Sequence, residues 1–428
     1  MNEGVKTQND IAWEILFDKY NILNKINVNG QFIISSSQIK EYREPRLMAK
    51  FDHTINLPSI FSNNHLAILP ISRREYIISH FNAYQTFDLF EEEIIRASLP
   101  EHIQSLDPNN VLSETIAINS AIASGMLSDF LEEETLYATV SGRMGSGQFD
   151  FEIYNSRTNS ISDVQVNNSQ IEIDAALEGV ESLTLLEAKR DLSTDFLIRQ
   201  LYYPYRVWQS RVLKKVRPIF LVYSNGIYDL YEYEFKEVNN YNSLVLIKHK
   251  KYSIEDTHIE LSDLIDVAKQ ISVFMPEPEI PFPQANSFER VINMCELLVS
   301  GDLSREEVTE KYAFNIRQTN YYTDAARYLG LIKKRYDGRK PVYSLNGCGH
   351  RIMRLKYKQR QLALCKRILQ HKVFFDVFSI CQYGCIPDQN TIIKIMKNAG
   401  LHRVESESTF IRRASTVSGW INWMLGLI

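Results

Sequence analysis

The sequence predicts an α+β chain of several domains, on three observations. Segments with helical periodicity and segments with period-two alternation follow one another along the chain without an internal repeat or low-complexity tract. A proline-rich stretch, MPEPEIPFPQANS at 275–287, interrupts them. Charge divides sharply: residues 311–428 hold 21 Lys and Arg against 6 Asp and Glu, leaving 27 basic and 46 acidic residues before them, although the whole chain is only −4. At 428 residues the chain exceeds one ordinary core, and a length prior gives roughly two to four domains.

The elements follow in order. Residues 1–105 begin with one helix, DIAWEILFDKYNILNKI, and continue with strand-like pieces (GQFIISSSQI, HLAILPI, REYIISHF), a small mixed domain. Residues 106–275 form a second unit. SETIAINSAIASGMLSDFLEEE reads as its first helix, with Ser113 as N-cap and Ile118, Ala121 and Ile122 on one face. LYATVSGRMG and QFDFEIYN are strands, with the glycines between them expected to make a hairpin turn flanked by Arg143 and Gln148. QIEIDAALEGVESLTLLEAK is two strands joined by a turn, STDFLIRQLYYPYRVWQSRVL a helix containing a proline, and RPIFLVYSNGIYDLYEYEF a hairpin about Asn225-Gly226. LSDLIDVAKQISVF is a last helix before the prolines, which read as a stiff linker. Beyond it, residues 284–346 give three helices and a basic ribbon turning at Asp337-Gly338, the layout of a winged helix. Residues 347–428 are a basic helical module of similar type.

Composition narrows the function classes. No apolar run approaches the ~20 residues needed to span a bilayer, and MNEGVKTQNDIAWEILFDKY lacks the basic start and apolar run of a signal peptide. The five cysteines have no framework spacing, and the single C-x3-C of Cys381 and Cys385 reads as reduced thiols before it reads as zinc. A cytoplasmic protein is expected. A basic segment on an acidic body points to a polyanionic partner.

The chemistry concentrates in residues 170–191. Glu187 and Lys189 are two apart and share a strand face, while Leu186 and Ala188 point the other way. Ile171 and Ile173 share one face of the preceding strand, Glu172 and Asp174 the other. Pairing the strands sets Asp174 beside Glu187 and Lys189. Charges on interior strands need partners or a metal, and two carboxylates with open water positions suit Mg²⁺. The lysine then orients or deprotonates a water, or offsets charge on a phosphate. An ordinary cross-strand ion pair is the competing account of Glu-Ala-Lys by itself.

The acid thirteen residues before Glu-Ala-Lys, in the order helix, strands, helix, strand, resembles the PD-(D/E)XK nuclease core, a mixed sheet flanked by helices. REPRLMAKFDHTINLPSIF, LAILPISRREYIISHF, SGRMGSGQFDFEIYN and IRQLYYPYR look like segments of type II restriction endonuclease-like proteins built on that core. The resemblance implies Mg²⁺-dependent hydrolysis of DNA phosphodiesters, with Asp174 and Glu187 as metal ligands and Lys189 as the catalytic lysine. It also implies an acid from the first core helix, where Glu114 stands, and a reach into the site from the following helix, where Gln200 stands. Each has a plainer account: a first-turn glutamate, and a solvated helix glutamine. Glu172, on the same face as Asp174, is the competing ligand; Asp174 is preferred.

DNA reading is expected from the third helix of the winged-helix pattern, whose first turns carry Arg317, Gln318, Asn320 and Tyr321. The ribbon residues Lys333, Lys334, Arg335, Arg339 and Lys340 would hold phosphates. Arg412 and Arg413 open the last helix, where DNA contact and protein packing both remain open, and Trp420, Trp423 and Leu425 are expected in a core. The amino domain is a further place for site recognition. The expectation is a site-specific endonuclease acting on double-stranded DNA as a homodimer, alongside a cognate DNA methyltransferase. A DNA-binding regulator with a degenerate nuclease core is the alternative.

Overall fold

The computed structural model describes residues 6–88, 92–312, 314–381 and 386–428, excepting the side chains of residues 310 and 311. Cys385 of the C-x3-C therefore lies outside the described residues.

The amino-terminal unit runs α1 (Gln8–Lys19), α2 (Ile22–Asn29), β1 (Phe32–Ser35), α3 (Ser36–Lys40), α4 (Pro45–Ala49), α5 (Ser59–Asn63), β2 (Ala67–Pro70) and β3 (Glu75–Ser79). The expected single first helix is two, because Asn21 takes a left-handed φ of 51°, which a continuous right-handed helix excludes. The three strands, ordered β1-β3-β2, pack on α1 around Trp13, Phe17 and Phe61. Residues expected to extend this unit to 105 pair elsewhere: β4 (Tyr84–Thr86) and β5 (Ile94–Arg96) join strands far along the chain.

The central unit continues with α6 (Glu114–Ala123), α7 (Met126–Leu131), β6 (Tyr137–Gly145), β7 (Gln148–Asn155), β8 (Ser160–Asn167), β9 (Gln170–Glu178) and β10 (Ser182–Lys189). Then come β11 (Asp195–Leu197), α8 (Arg199–Gln209), β12 (Lys215–Ser224), β13 (Ile227–Phe235), β14 (Leu244–Ser253) and α9 (Leu261–Lys269). Seven strands form a mixed sheet in the order β5-β14-β13-β12-β10-β9-β6. β10 pairs parallel to β12 and antiparallel to β9, with both sheet faces covered, so all eight of its residues are buried. Leu183 and Leu185 pack with α8 and the β7–β8 ribbon, Leu186 and Ala188 with α6 and α7, the two-faced split its alternation predicts.

Three local expectations are corrected. The first core helix breaks into α6 and α7 at Gly125, whose φ is +77°. The glycines of GRMGSGQ do not close a hairpin; β6 pairs with β9 and β7 with β8, so the turn carries the chain from the large sheet to a separate two-stranded ribbon. Residues 195–197 are strand rather than helix, because β11 is captured by β4.

The carboxyl-terminal unit contains α10 (Phe288–Leu297), β15 (Leu303–Ser304), α11 (Arg305–Lys311), α12 (Ile316–Tyr328), β16 (Ile332–Asp337) and β17 (Lys340–Leu345). It ends with α13 (Gly347–Met353), α14 (Tyr357–Leu369), α15 (Lys372–Cys381), α16 (Gln389–Asn398) and α17 (Glu407–Leu425). Capping boxes fix the starts of α11 (Ser304, Glu307) and α12 (Asn315, Gln318). One core runs from Leu264 of α9 through Phe282 and on to Met424, with Trp420 buried in it. Neither the proline-rich stretch nor residue 346 separates two cores. Phe282 stacks on Phe374, with ring centroids 5.7 Å apart, so the stretch is docked rather than a free spacer. Residues 347–428 show five helices and, among the described residues, no strand, so the second module lacks the ribbon of a winged-helix pattern.

The central and carboxyl-terminal units meet through buried polar contacts. Asn225, in the β12–β13 turn, donates its N–H to Glu296 of α10 at 2.9 Å and accepts from Gln361 of α14 at 2.8 Å. Asn293 of α10 donates to Arg190 O at 2.7 Å and accepts from Leu192 N at 3.3 Å, gripping the chain just beyond Lys189.

Candidate active site

The antiparallel register pairs Leu186 with Ala175, and the next step along both strands sets Asp174 beside Glu187. The ladder to β6 slips here. Val140 pairs with Ala176 and Gly142 with Ile173, so Asp174 and Ala175 stand opposite Ser141 alone. A bulge of this kind bends the strand and re-aims a side chain. The Ala188 N–H donates to Asp174 Oδ2 at 2.8 Å. Glu187 Oε1 accepts from Lys189 Nζ at 2.5 Å and from Gln200 Nε2 at 2.6 Å. Gln200 is thus no solvated helix glutamine: it is buried on α8 and fixes the orientation of Glu187. Its own Oε1 is buried without a hydrogen bond.

Glu114, the first residue of α6, lines the same pocket of about 220 Å³ as Asp174, Glu187, Lys189 and Gln200. Burial dominates the charges of this group. It pushes Glu187 up to about 7 against the opposing pull of Lys189. It also raises Asp174 and Glu114, again against Lys189. Burial would lower Lys189, but Glu187, Asp52, Glu114 and Asp174 outweigh it and hold the ammonium well above the usual lysine range.

Four pocket residues escaped sequence reasoning. Arg46, Lys50 and Asp52 come from the amino-terminal unit and Arg199 from the start of α8. Asp52 Oδ2 lies 3.9 Å from Lys189 Nζ and 3.7 Å from Lys50 Nζ. Burial pushes its carboxyl up, yet Lys189, Lys50 and Arg199 hold it below the usual range. Asp52 sits in a loop with no periodic pattern, 122 positions before Asp174 (174 less 52); the only signal was the resemblance of the surrounding REPRLMAKFDHT segment.

Glu172 lies at the pocket rim, half-exposed and paired with Arg143 at 3.1 Å, while Gln148 donates to Asn167 at 3.2 Å. Glu172 and Arg143 are thus occupied with each other, and Asp174 is the acid bonded into β10.

None of the expected DNA-reading residues lines the pocket, and they range from exposed to half-buried. Arg317 donates to the Tyr321 hydroxyl at 2.5 Å, and Gln318 closes the capping box of α12. Asn320 is half-buried, with its carbonyl accepting from Thr323 at 3.1 Å. In the ribbon, Arg335 pairs with Asp302 and Lys340 with Glu306, both at 3.1 Å. Lys334 lies over the Tyr336 ring, and Lys333 and Arg339 are exposed. Arg412 donates to Ser408 O at 3.2 Å. Arg413 is partly buried; burial lowers its guanidinium, with Tyr321 and Asp324 of α12 pulling the other way.

Three families match successive parts of the chain, each described as a domain of unknown function: DUF6996 over residues 10–78, DUF6997 over 79–253 and DUF7226 over 290–428. The junction at 78/79 falls where β3 ends and the chain leaves the first core. No curated protein and no solved structure matches the chain. Among the described residues, no helix is long and apolar enough to cross a membrane.

Proposed function

We propose that the protein is a type II site-specific deoxyribonuclease, hydrolysing phosphodiester bonds of double-stranded DNA with Mg²⁺ on a PD-(D/E)XK-type core. The observation that carries this reading is the convergence of Asp174, Glu187 and Lys189 from adjacent strands into one pocket, with Gln200 and Glu114 beside them.

The residues fit a hard divalent cation. Asp174 Oδ1 and Glu187 Oε2 take part in no hydrogen bond among the described residues, while the second oxygen of each is used to fix the carboxylate. Among the described residues no three such side chains form a closed cage, and Mg²⁺ commonly takes one or two carboxylates with water and substrate phosphate. Asp174 and Glu187 would hold the cation, which supplies charge neutralisation at the phosphate and a lower pKa for water.

The chain's own groups have distinct tasks. Gln200 keeps Glu187 oriented. Lys189, surrounded by four acids, keeps its proton and offsets charge building on the phosphate, rather than serving as a base. Arg199, Arg46 and Lys50 make the pocket attractive to a phosphodiester. The order α10, α11, α12 and the β16–β17 ribbon supports a winged-helix reading head, with Arg317 and Asn320 at base edges and Lys333, Lys334 and Arg339 on phosphates. Two-fold DNA sites call for a homodimer, and self-protection calls for a partner methyltransferase in the same cytoplasm.

The test is incubation with plasmid and phage DNA in Mg²⁺, comparing wild type with Asp174→Ala and Lys189→Ala. Discrete fragments from the wild type alone support the reading. No cleavage of modified or unmodified DNA, with DNA binding retained, sinks it in favour of a regulator with a degenerate core.

A further inference from the structure

The amino-terminal unit enters the pocket through the loop at Asp52, and that loop is fastened to the segment following β10. The Leu197 N–H donates to Asp52 O at 2.9 Å. His53 Nε2 lies 3.0 Å from Asp191 Oδ2, and the Thr54 N–H donates to Asp195 Oδ1 at 3.0 Å. These anchors hold the Asp52 carboxylate at a fixed place beside Lys189. Yet the carboxylate itself is under-used. Its Oδ2 is 3.9 Å from the ammonium, beyond hydrogen-bond range, and its Oδ1 is buried with no hydrogen bond.

Lys189 donates to Glu187, the carboxylate read above as a cation ligand. An ammonium and a divalent cation compete for one carboxylate, so a group that shares the ammonium relieves the competition. We propose that Asp52 is a positioning residue for Lys189: a carboxylate supplied by the amino-terminal unit that shares the ammonium with Glu187 and leaves Glu187 available to a divalent cation. The inference rests on the nuclease reading and deepens it, since it makes residues 10–78 part of the catalytic pocket as well as a place for site recognition.

The test is Mn²⁺ titration calorimetry on the full chain without DNA, in wild type, D52N, K189M and D52N/K189M, with D52S as a second neutral variant and thermal melts to verify folding. Removing one nearby negative charge weakens cation binding in either background. Competition from Lys189 acts only where the lysine is present. D52N should therefore weaken Mn²⁺ binding about tenfold when Lys189 is present and about threefold or less in the K189M background, a coupling usual for groups in one network. D52E, which keeps the charge, should recover most of the loss. Equal factors in the two backgrounds, or no effect of D52N or D52S, overturn the proposal while leaving the nuclease reading intact. A wild type with no Mn²⁺ binding that depends on Asp174 and Glu187 overturns the nuclease reading itself.

Discussion

The pocket and the carboxyl-terminal surface use charge in opposite ways. In the pocket, Glu187 and Lys189 are each only 9% exposed, and acids and bases from distant parts of the chain answer one another across a few ångströms. On the surface of α12 and its ribbon, charges are exposed and paired close by, as in Arg335–Asp302 and Lys340–Glu306. Buried charge demands a specific partner, whereas exposed pairs contribute only about 0–1 kcal/mol. The pocket charges are therefore held by one another, whereas the surface pairs are weak enough to be exchanged for other partners.

That contrast can be broken most forcefully in the pocket. D174A and E187Q should each reduce DNA cleavage at least about a thousandfold, the scale of losing a principal electrostatic group. E187Q should also lower the melting temperature, because the buried Lys189 ammonium loses the charge of the carboxylate it donates to. Fragment yields on plasmid DNA and parallel melts measure both.

The join between the regions comes next. Asn293 is 2% exposed and bonds Arg190, Leu192 and Ser224. N293L should destabilise the chain by about 2–3 kcal/mol in urea unfolding and lower cleavage more than binding, because the released segment follows Lys189 directly.

Two buried histidines sharpen the same contrast through pH. His53 faces Asp191, Asp195 and Asp52; burial lowers it, but Asp191 and its companions win and raise it above 6.5. Its contribution to stability is full below pH 6.5 and is lost as pH rises through the raised value. His371 instead stacks on Tyr328 in the carboxyl-terminal core, and burial with Arg367 pushes it down to about 4. Its contribution is full above pH 6.5 and is lost as pH falls toward 4, by about 1–3 kcal/mol. Urea midpoints across pH 4–9 for H53Q and H371Q should flatten opposite limbs of the stability profile.

The smallest stability effects belong to the surface. R317A, K333A, K334A and R339A should each change stability by less than about 0.5 kcal/mol. Each phosphate contact removed should reduce the salt slope of DNA binding by about 0.9, read by anisotropy at several salt concentrations.

Local signals were legible where they act over a few residues. The alternation of β10, the Asn225-Gly226 turn and the cap at Ser113 follow from side-chain chemistry near at hand, whereas the bulge at Asp174 and Ala175 breaks the alternation expected of β9. Breaks at Asn21 and Gly125 were readable in principle, since both residues tolerate positive φ. What did not show were pairings over long separations: β5 with β14, β4 with β11, and α9 with the carboxyl-terminal core. Asp52 belongs to this group. Its place beside Lys189 depends on two units docking, and no periodicity in either unit encodes that. For the site, Asp174, Glu187 and Lys189 were read together from one strand pair, and Glu114 and Gln200 came only with the resemblance; all five line one pocket, while the cationic residues opposite them were not foreseen.

The most direct measurement is end-sequencing of fragments from unmodified phage DNA digested by the wild-type protein in Mg²⁺, with E187Q as control. The account predicts ends clustered at one short sequence, present with the wild type and absent with E187Q. Ends scattered without sequence preference, or the same fragments from E187Q, would contradict it.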